Sequence, residues 1–304
     1  MKMIPSAVRA LLLLVALAAC SCRVHEPQAQ TRREPVARVP ERSEARSAAA
    51  SWIPPQAPPR IVGESAIVVD IGSGRVLYAK NADLPRPVAS TQKIVTALCV
   101  LQTGDIDRVV RITAEDANCE PTKLGLKPGE TYTRRELVKA LMIKSANDVG
   151  RALARDVSGS QPGFSARMNR TAAALGMRNS NFLNPHGLTE PGQYSTARDM
   201  AIAARAAYRS PLLRSFSATK GYTFRYSDGR TRFLENTNKV LKSLPYCNGM
   251  KTGTTNASGR CLVSTGSLGG RDVIVVVLKS NSANIWSDSE NLLRWALERS
   301  VTDA

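Results

Sequence analysis

The spacing of apolar residues changes character along this chain, and the order of those changes limits the fold. Strand-like runs lie at the two ends of the region that begins near Ile61, and helical periodicity fills the middle. Ser65–Ile71 and Arg75–Ala79 are β-rich runs joined by Gly72-Ser73-Gly74, the pattern of a hairpin. Residues 90–103 lack Pro and Gly and end at Gly104, and 133–157, 162–175 and 195–208 also have helical spacing. Strands are expected at 220–226, 230–235, 247–252, 259–267 and 272–279, and a closing amphipathic helix from Asn284 to Val301. A sheet assembled from the first hairpin and the late strands needs the intervening helices to cover it. The expected class is therefore α/β of the α+β type: a mainly antiparallel sheet covered by helices, with a helical insert.

Residues before Ile61 have a different composition. Lys2 and Arg9 precede ten apolar residues, Ala10–Ala19, and Cys20 follows directly. A charged start, a short apolar run and small residues before a cut are the physics of a secretory signal. Ten helical residues cover about 15 Å, half of a ~30 Å hydrocarbon core, so the run is too short for a permanent span. The order Leu17-Ala18-Ala19-Cys20 resembles the lipobox of bacterial lipoproteins, which implies cleavage before Cys20 and lipid attachment to its sulfur. Residues 20–60 hold seven prolines and no apolar period, so they read as a tether that cannot offset the entropy of ordering. Three parts are expected: a signal over 1–19, a tether over 20–60 with Cys20 as the lipidation site, and one folded domain over 61–304. Such a chain would be exported to the cell envelope and held to a membrane by its lipid.

Charge excludes some partners. The 304 residues carry 42 Lys and Arg against 25 Asp and Glu, a net charge of +17, yet aromatic residues are only 5%. A single-strand nucleic-acid binder needs aromatic stacking platforms, so no nucleic acid is expected, and the charge reads as attraction to another anionic surface. The two histidines, His25 and His186, cannot build a His-rich metal site.

Three short motifs carry chemistry. Ser90-Thr91-Gln92-Lys93 opens a helix, so Ser90 and Lys93 share one face. A hydroxyl needs a neighbouring base, and a lysine whose pKa is lowered by burial or nearby positive charge can be that base. Ser145-Ala146-Asn147 lies between two helical runs; a serine can relay a proton and an asparagine can hold both a lysine and a substrate amide. Lys251-Thr252-Gly253 sits in a strand, where Gly253 permits close backbone approach and Thr254 follows. Taken singly, these motifs also fit a helix cap, a helix break and a strand end.

In this order, S-x-x-K, S-D-N and K-T-G form the joint signature of class A β-lactamases and penicillin-binding proteins, and here the middle motif reads S-A-N. The folded region, about 61–300, resembles the serine D-alanyl-D-alanine carboxypeptidases, the low-molecular-mass penicillin-binding proteins. Leu126–Glu130, Asn184–Leu188 and Tyr194–Ala201 also look like segments of that family. The resemblance implies that Ser90 attacks the bond between two D-alanines and Lys93 takes its proton. Ser145 and Lys251 then pass a proton to the leaving amine, while Asn147 positions Lys93 and the substrate. Thr252, Gly253 and Thr254 bind substrate, with the N–H groups of Ser90 and Thr254 as an oxyanion hole. The implied partners are peptidoglycan stem peptides and, as covalent inhibitors, β-lactams; no metal or cofactor is implied.

Alternatives stay open on the residues. A class A β-lactamase needs a downstream E-x-x-x-N segment, but Glu190 is followed four residues later by Tyr194. A D,D-endopeptidase would share site and scissile bond and differ in the leaving group. A non-enzymatic wall-binding lipoprotein would leave the nucleophile, base and relay unexplained. His186 lies in no nucleophile-elbow context and reads as structural. Cys99, Cys119, Cys247 and Cys261 read as buried free thiols rather than disulfides. The segment from Lys279 to Ser287 contains no Arg, so the group that meets the substrate carboxylate is not identified by sequence.

Overall fold

A computed structural model describes residues 57–298. The signal, the lipidation site Cys20 and all but the last four residues of the tether lie outside the described residues. Nine strands and nine α-helices are found in the described region. The central sheet has five strands in the order β2-β1-β9-β8-β7, all neighbours antiparallel. These are β1 (Ser65–Asp70), β2 (Val76–Lys80), β7 (Cys247–Thr255), β8 (Gly259–Leu268) and β9 (Arg271–Ser280). The first hairpin thus joins the last strands, as their apolar runs require.

Both faces of the sheet are covered. Ile67, Val263, Ile274 and Val276 face the larger core, which contains α1 (Lys93–Leu101), α3 (Arg134–Lys144), α4 (Asn147–Ser158), α5 (Gln161–Leu175) and α6 (Ala197–Tyr208). Val68, Leu262, Val275 and Val277 alternate to the other face and meet Ile285, Leu292 and Leu293 of α9 (Ile285–Leu297). A strand with period-2 side chains and two helical layers must be apolar at every position, which is why β9 reads as a continuous run, Val273–Leu278. The two edge strands of the sheet are β2 and β7.

Several elements depart from the expectation. The helical stretch over 133–157 is two helices, because Ser145 ends α3 in the left-handed region at φ 66° and its N–H still closes on Leu141. The helix at 90–103 starts as a 3₁₀ turn over Ala89–Gln92, and Ala89 has φ 49°. Strand 247–252 continues to Thr255 by pairing with β8. The short ribbon of β3 (Val109–Arg111) with β4 (Thr131–Thr133) and the helix α7 (Pro211–Ala218) carry too little periodicity to be read. Strands β5 (Gly221–Arg225) and β6 (Thr231–Glu235) pair only with each other. The remaining helices are single turns, α2 (Ala114–Ala117) and α8 (Val240–Ser243). Cys99, Cys119, Cys247 and Cys261 are buried free thiols, as expected.

Candidate active site

The three motifs converge although they lie far apart in the chain. Ser90 sits on the 3₁₀ turn before α1, Asn147 opens α4, and Lys251 lies in β7. Lys93 is fully buried, and its Nζ is 2.7 Å from Ser90 Oγ, 2.7 Å from Asn147 Oδ1 and 2.6 Å from the His186 carbonyl oxygen. A neutral amine has two N–H groups and one lone pair. The two carbonyl-type oxygens can only accept, so they take both N–H groups and leave the lone pair for the Ser90 hydroxyl.

Burial and the charge of Lys251 hold the Lys93 amine well below the usual lysine range. Lys251 is also buried, which brings its pKa down to about 7. Its Nζ donates to the Thr252 carbonyl at 3.0 Å. The Ser145 hydroxyl makes no hydrogen bond among the described residues and borders the cavity, so no closed Ser145–Lys251 relay is present.

Glycine and the chain's tight contacts set the position of Ser90. A Cβ on Gly253 would stand 2.9 Å from the N–H nitrogens of Ser90 and Thr91 and from the Val88 carbonyl oxygen, so β7 runs directly against the turn that carries Ser90. On the opposite side, a Cβ on Gly187 would be 2.1 Å from the Ala89 carbonyl oxygen, and Gly187 has φ 87°. The first N–H groups of a helical turn have no intrahelical acceptor, which leaves the Ser90 N–H available to a ligand beside Gly253.

The loop over 184–188 is held by side chains. Asn184 Oδ1 accepts from the N–H groups of His186 and Gly187, and Gln92 Nε2 donates to the Asn184 carbonyl at 2.6 Å. This fixes the His186 carbonyl that Lys93 uses. The His186 imidazole has a pKa of about 3, lowered by burial and by the charges of Lys93 and Arg151, and its Nδ1 accepts from the Leu188 N–H. His186 thus serves the site through its backbone. Asp148, also fully buried, accepts from the N–H groups of Leu124, Gly125 and Leu126 and ties that loop to the start of α4.

A cavity of about 570 Å³ opens on Ser90. Ser145, Thr252, Gly253 and Thr254 line it, together with residues that motif spacing did not reveal: Thr122, Lys144, Thr237, Lys239, Arg260 and Trp286. Thr237 Oγ1 is 2.6 Å from Thr252 Oγ1. Arg260 pairs with Thr254 across β7 and β8, and its Nε donates to Ser282 Oγ at 3.0 Å. It supplies the exposed guanidinium that the segment 279–287 lacks; Lys279 instead donates to the Ala257 carbonyl. Neither Asp nor Glu lines this cavity, and Glu190 borders a separate depression with Arg151 and His186. No group of three or more His, Cys, Asp or Glu able to hold a metal is present among the described residues.

Comparison with known proteins agrees with this geometry. The profile of the D-alanyl-D-alanine carboxypeptidase family matches residues 54–282. The chain is 34% identical over 224 residues to D-alanyl-D-alanine carboxypeptidase DacF of Bacillus subtilis, covering 72% of this chain and 58% of that protein. It is 33% identical over 244 residues to a D-alanyl-D-alanine endopeptidase of Pseudomonas aeruginosa, covering 78% of each. Among solved structures, the Streptomyces K15 DD-transpeptidase superimposes with a TM-score of 0.75 at 30% identity, over 79% of this chain and 98% of that one. The chain spans about three fifths of the Bacillus relative's length but nearly all of the Streptomyces structure. With a Ser–Lys pair whose lysine is buried, an S-x-N turn and a K-T-G edge strand around one cavity, this chain belongs to the D-alanyl-D-alanine carboxypeptidase family.

Proposed function

We propose that the protein is a serine-type D-Ala-D-Ala carboxypeptidase that removes the terminal D-alanine from peptidoglycan stem peptides through an acyl-enzyme on Ser90. The observation that carries this is the fully buried Lys93, 2.7 Å from Ser90 Oγ, at the base of a cavity lined by cations and no carboxylate. Such a cavity suits an anionic, C-terminal substrate.

Ser90 Oγ attacks the carbonyl carbon between the two D-alanines as Lys93 takes its proton. The N–H groups of Ser90 and Thr254 hold the oxyanion. Collapse breaks the C–N bond, and the leaving amine takes a proton through Ser145 from Lys251, whose pKa of about 7 suits it to donate near neutrality. Asn147 fixes Lys93. Thr252 and Arg260 receive the terminal carboxylate. Water then cleaves the ester: its hydroxyl joins the acyl carbon, its proton goes to Ser90 Oγ, the proton held by Lys93 passes back to Lys251, and the shortened peptide is freed. The edge position of β7 supports backbone pairing with an extended peptide. β-Lactams would acylate the same hydroxyl.

The test is D-alanine release from a stem pentapeptide by the purified protein. Release that disappears in Ser90→Ala with the fold retained is the expected result; release that persists in that variant would refute the assignment.

We further propose export to the cell envelope and anchoring through lipid on Cys20. No helix among the described residues is long and apolar enough to cross a membrane. One acyl chain binds a bilayer marginally, so two or more chains on Cys20 are implied. Cys20→Ser should move the protein from the detergent phase to the soluble fraction; retention in the membrane at high salt would contradict the lipid anchor.

A further inference from the structure

We propose that Gln193 is a positioning residue for the Ser90–Lys93 pair: its one amide joins the two ends of the loop over 183–188 and so aims the His186 carbonyl at the Lys93 amine. The inference rests on the reading above, in which Lys93 takes the proton of Ser90, and it adds a residue outside all three motifs.

The loop lies in neither a helix nor a strand, and its backbone is satisfied by side chains. The N–H groups of Leu183 and Asn184 donate to Gln193 Oε1 at 2.9 and 3.1 Å, those of His186 and Gly187 to Asn184 Oδ1, and that of Leu188 to His186 Nδ1. Residue 185 is proline and has none. The carbonyls of Asn184, Pro185 and His186 accept in turn from Gln92, Thr96 and Lys93, at the start of α1 and on the turn before it. Gln193 Nε2 donates to the Leu188 carbonyl at 2.8 Å. One buried amide thus binds the first two donors and the last acceptor of the loop.

Gln193 is itself held in place. Glu190-Pro191-Gly192-Gln193 is a turn closed by the Gln193 N–H on the Glu190 carbonyl at 3.0 Å, with Gly192 at φ 84°, as a type II turn requires at that position. Tyr194 then pairs with Asn181, and Ser195 with Arg86. The consequence falls on the amine. The His186 carbonyl oxygen is 2.6 Å from Lys93 Nζ and 3.2 Å from Ser90 Oγ. While that carbonyl takes one N–H of the amine and Asn147 the other, the lone pair faces Ser90. Without the Gln193 amide, the N–H groups of Leu183 and Asn184 lose their acceptor and the Leu188 carbonyl loses a donor, so the loop shifts to satisfy them elsewhere. A freed N–H lets the amine rotate about its Cε–Nζ bond and turns the lone pair away from the hydroxyl. Thr252, Thr254 and Arg260, which would hold the substrate, belong to β7 and β8 and keep their places. The chemical step therefore slows while binding does not weaken.

The experiment measures D-alanine release from a stem pentapeptide, with rates expressed per site titrated by benzylpenicillin so that unfolded protein is not counted. Gln193→Met keeps the length of the side chain and removes its hydrogen bonds. It should lower kcat about 10- to 100-fold, up to the cost of displacing reacting groups by about 1 Å, and leave KM within about twofold. Gln193→Glu retains the acceptor for the Leu183 and Asn184 N–H groups and loses the donor to Leu188. It should lose less, about three- to tenfold in kcat, as for one hydrogen bond, again with KM unmoved, and it carries the test should the Met variant not fold. A kcat unchanged in the folded variants, a loss taken in KM, or a Gln193→Glu variant slower than Gln193→Met would overturn the inference and leave the reaction standing. The last of these would show that packing rather than hydrogen bonding holds the loop. A wild-type protein that neither releases D-alanine nor is labelled by benzylpenicillin would instead count against the reaction itself.

Discussion

Lys93 Nζ lies 2.7 Å from Ser90 Oγ with the lysine fully buried. Its other two contacts are acceptors, the Asn147 amide oxygen and the His186 carbonyl. Burial and the neighbouring Lys251 both favour the neutral amine. Acylation by a β-lactam should therefore fall about tenfold per pH unit below the Lys93 pKa, where the amine is protonated. Removing Lys251 takes away positive charge and admits water, and both effects raise the Lys93 pKa. In Lys251→Ala the acid limb of the pH profile should move to higher pH by about one unit or more. An unmoved or acid-shifted limb would contradict Lys93 as the base. Lys93→Arg should be inactive, since a guanidinium stays charged.

Gly187 packs against the turn that carries Ser90. A methyl group there would meet the Ala89 carbonyl oxygen, at a φ that disfavours side chains. Gly187→Ala should cost about 2–4 kcal/mol of stability from overpacking and strain combined. It should also slow acylation more than it weakens substrate binding. Denaturant unfolding and single-turnover labelling check both; wild-type values in each would show that the turn adapts.

Asp148 carries the loop that follows the cis-linked Glu120–Pro121 segment. Its carboxylate accepts from three consecutive N–H groups, Leu124 to Leu126, and from Val149. Asp148→Ala leaves those donors buried without partners, and a loss of about 3–5 kcal/mol is expected. Asp148→Asn, which can replace only some of the contacts, should lose less. Thermal unfolding of the two variants decides the order.

In the proposed reaction Arg260 meets the substrate's terminal carboxylate. Arg260→Leu should lower kcat/KM for a peptide with a free C-terminal carboxylate about 10- to 100-fold, the range for a charged hydrogen bond. The corresponding C-terminal amide should be hydrolysed alike by the wild-type protein and the variant. A loss that is equal on both substrates would give Arg260 a structural role instead.

Most of the sheet was legible because its inner strands are buried on both faces, which forces unbroken apolar runs such as Val273–Leu278. Helix α7 was not, since its eight residues begin at Pro211 and show only one turn of periodicity beyond their cap. The break at Ser145 was visible as a motif but not as backbone, because a left-handed serine is specified by its tertiary setting rather than by local propensity. Ser90, Lys93, Asn147 and Lys251 could be found by spacing within motifs. Arg260, Thr237 and the His186 carbonyl could not. Two of them reach the site from elements that carry no motif, and the third acts through its backbone, which any residue type supplies. Arg260 had one available signal: it stands nine residues after Lys251, where an antiparallel partner strand returns beside Thr254.

The central claim is that Ser90 is the acylated hydroxyl. Mass spectrometry of the intact protein after exposure to benzylpenicillin tests it most directly, followed by peptide mapping. One penicilloyl adduct on the peptide containing Ser90, persisting for minutes because no cavity-lining carboxylate activates a deacylating water, is the expected result. No adduct should form in Ser90→Ala. An adduct on another residue, labelling of the Ser90→Ala variant, or rapid catalytic turnover of the penicillin would contradict it.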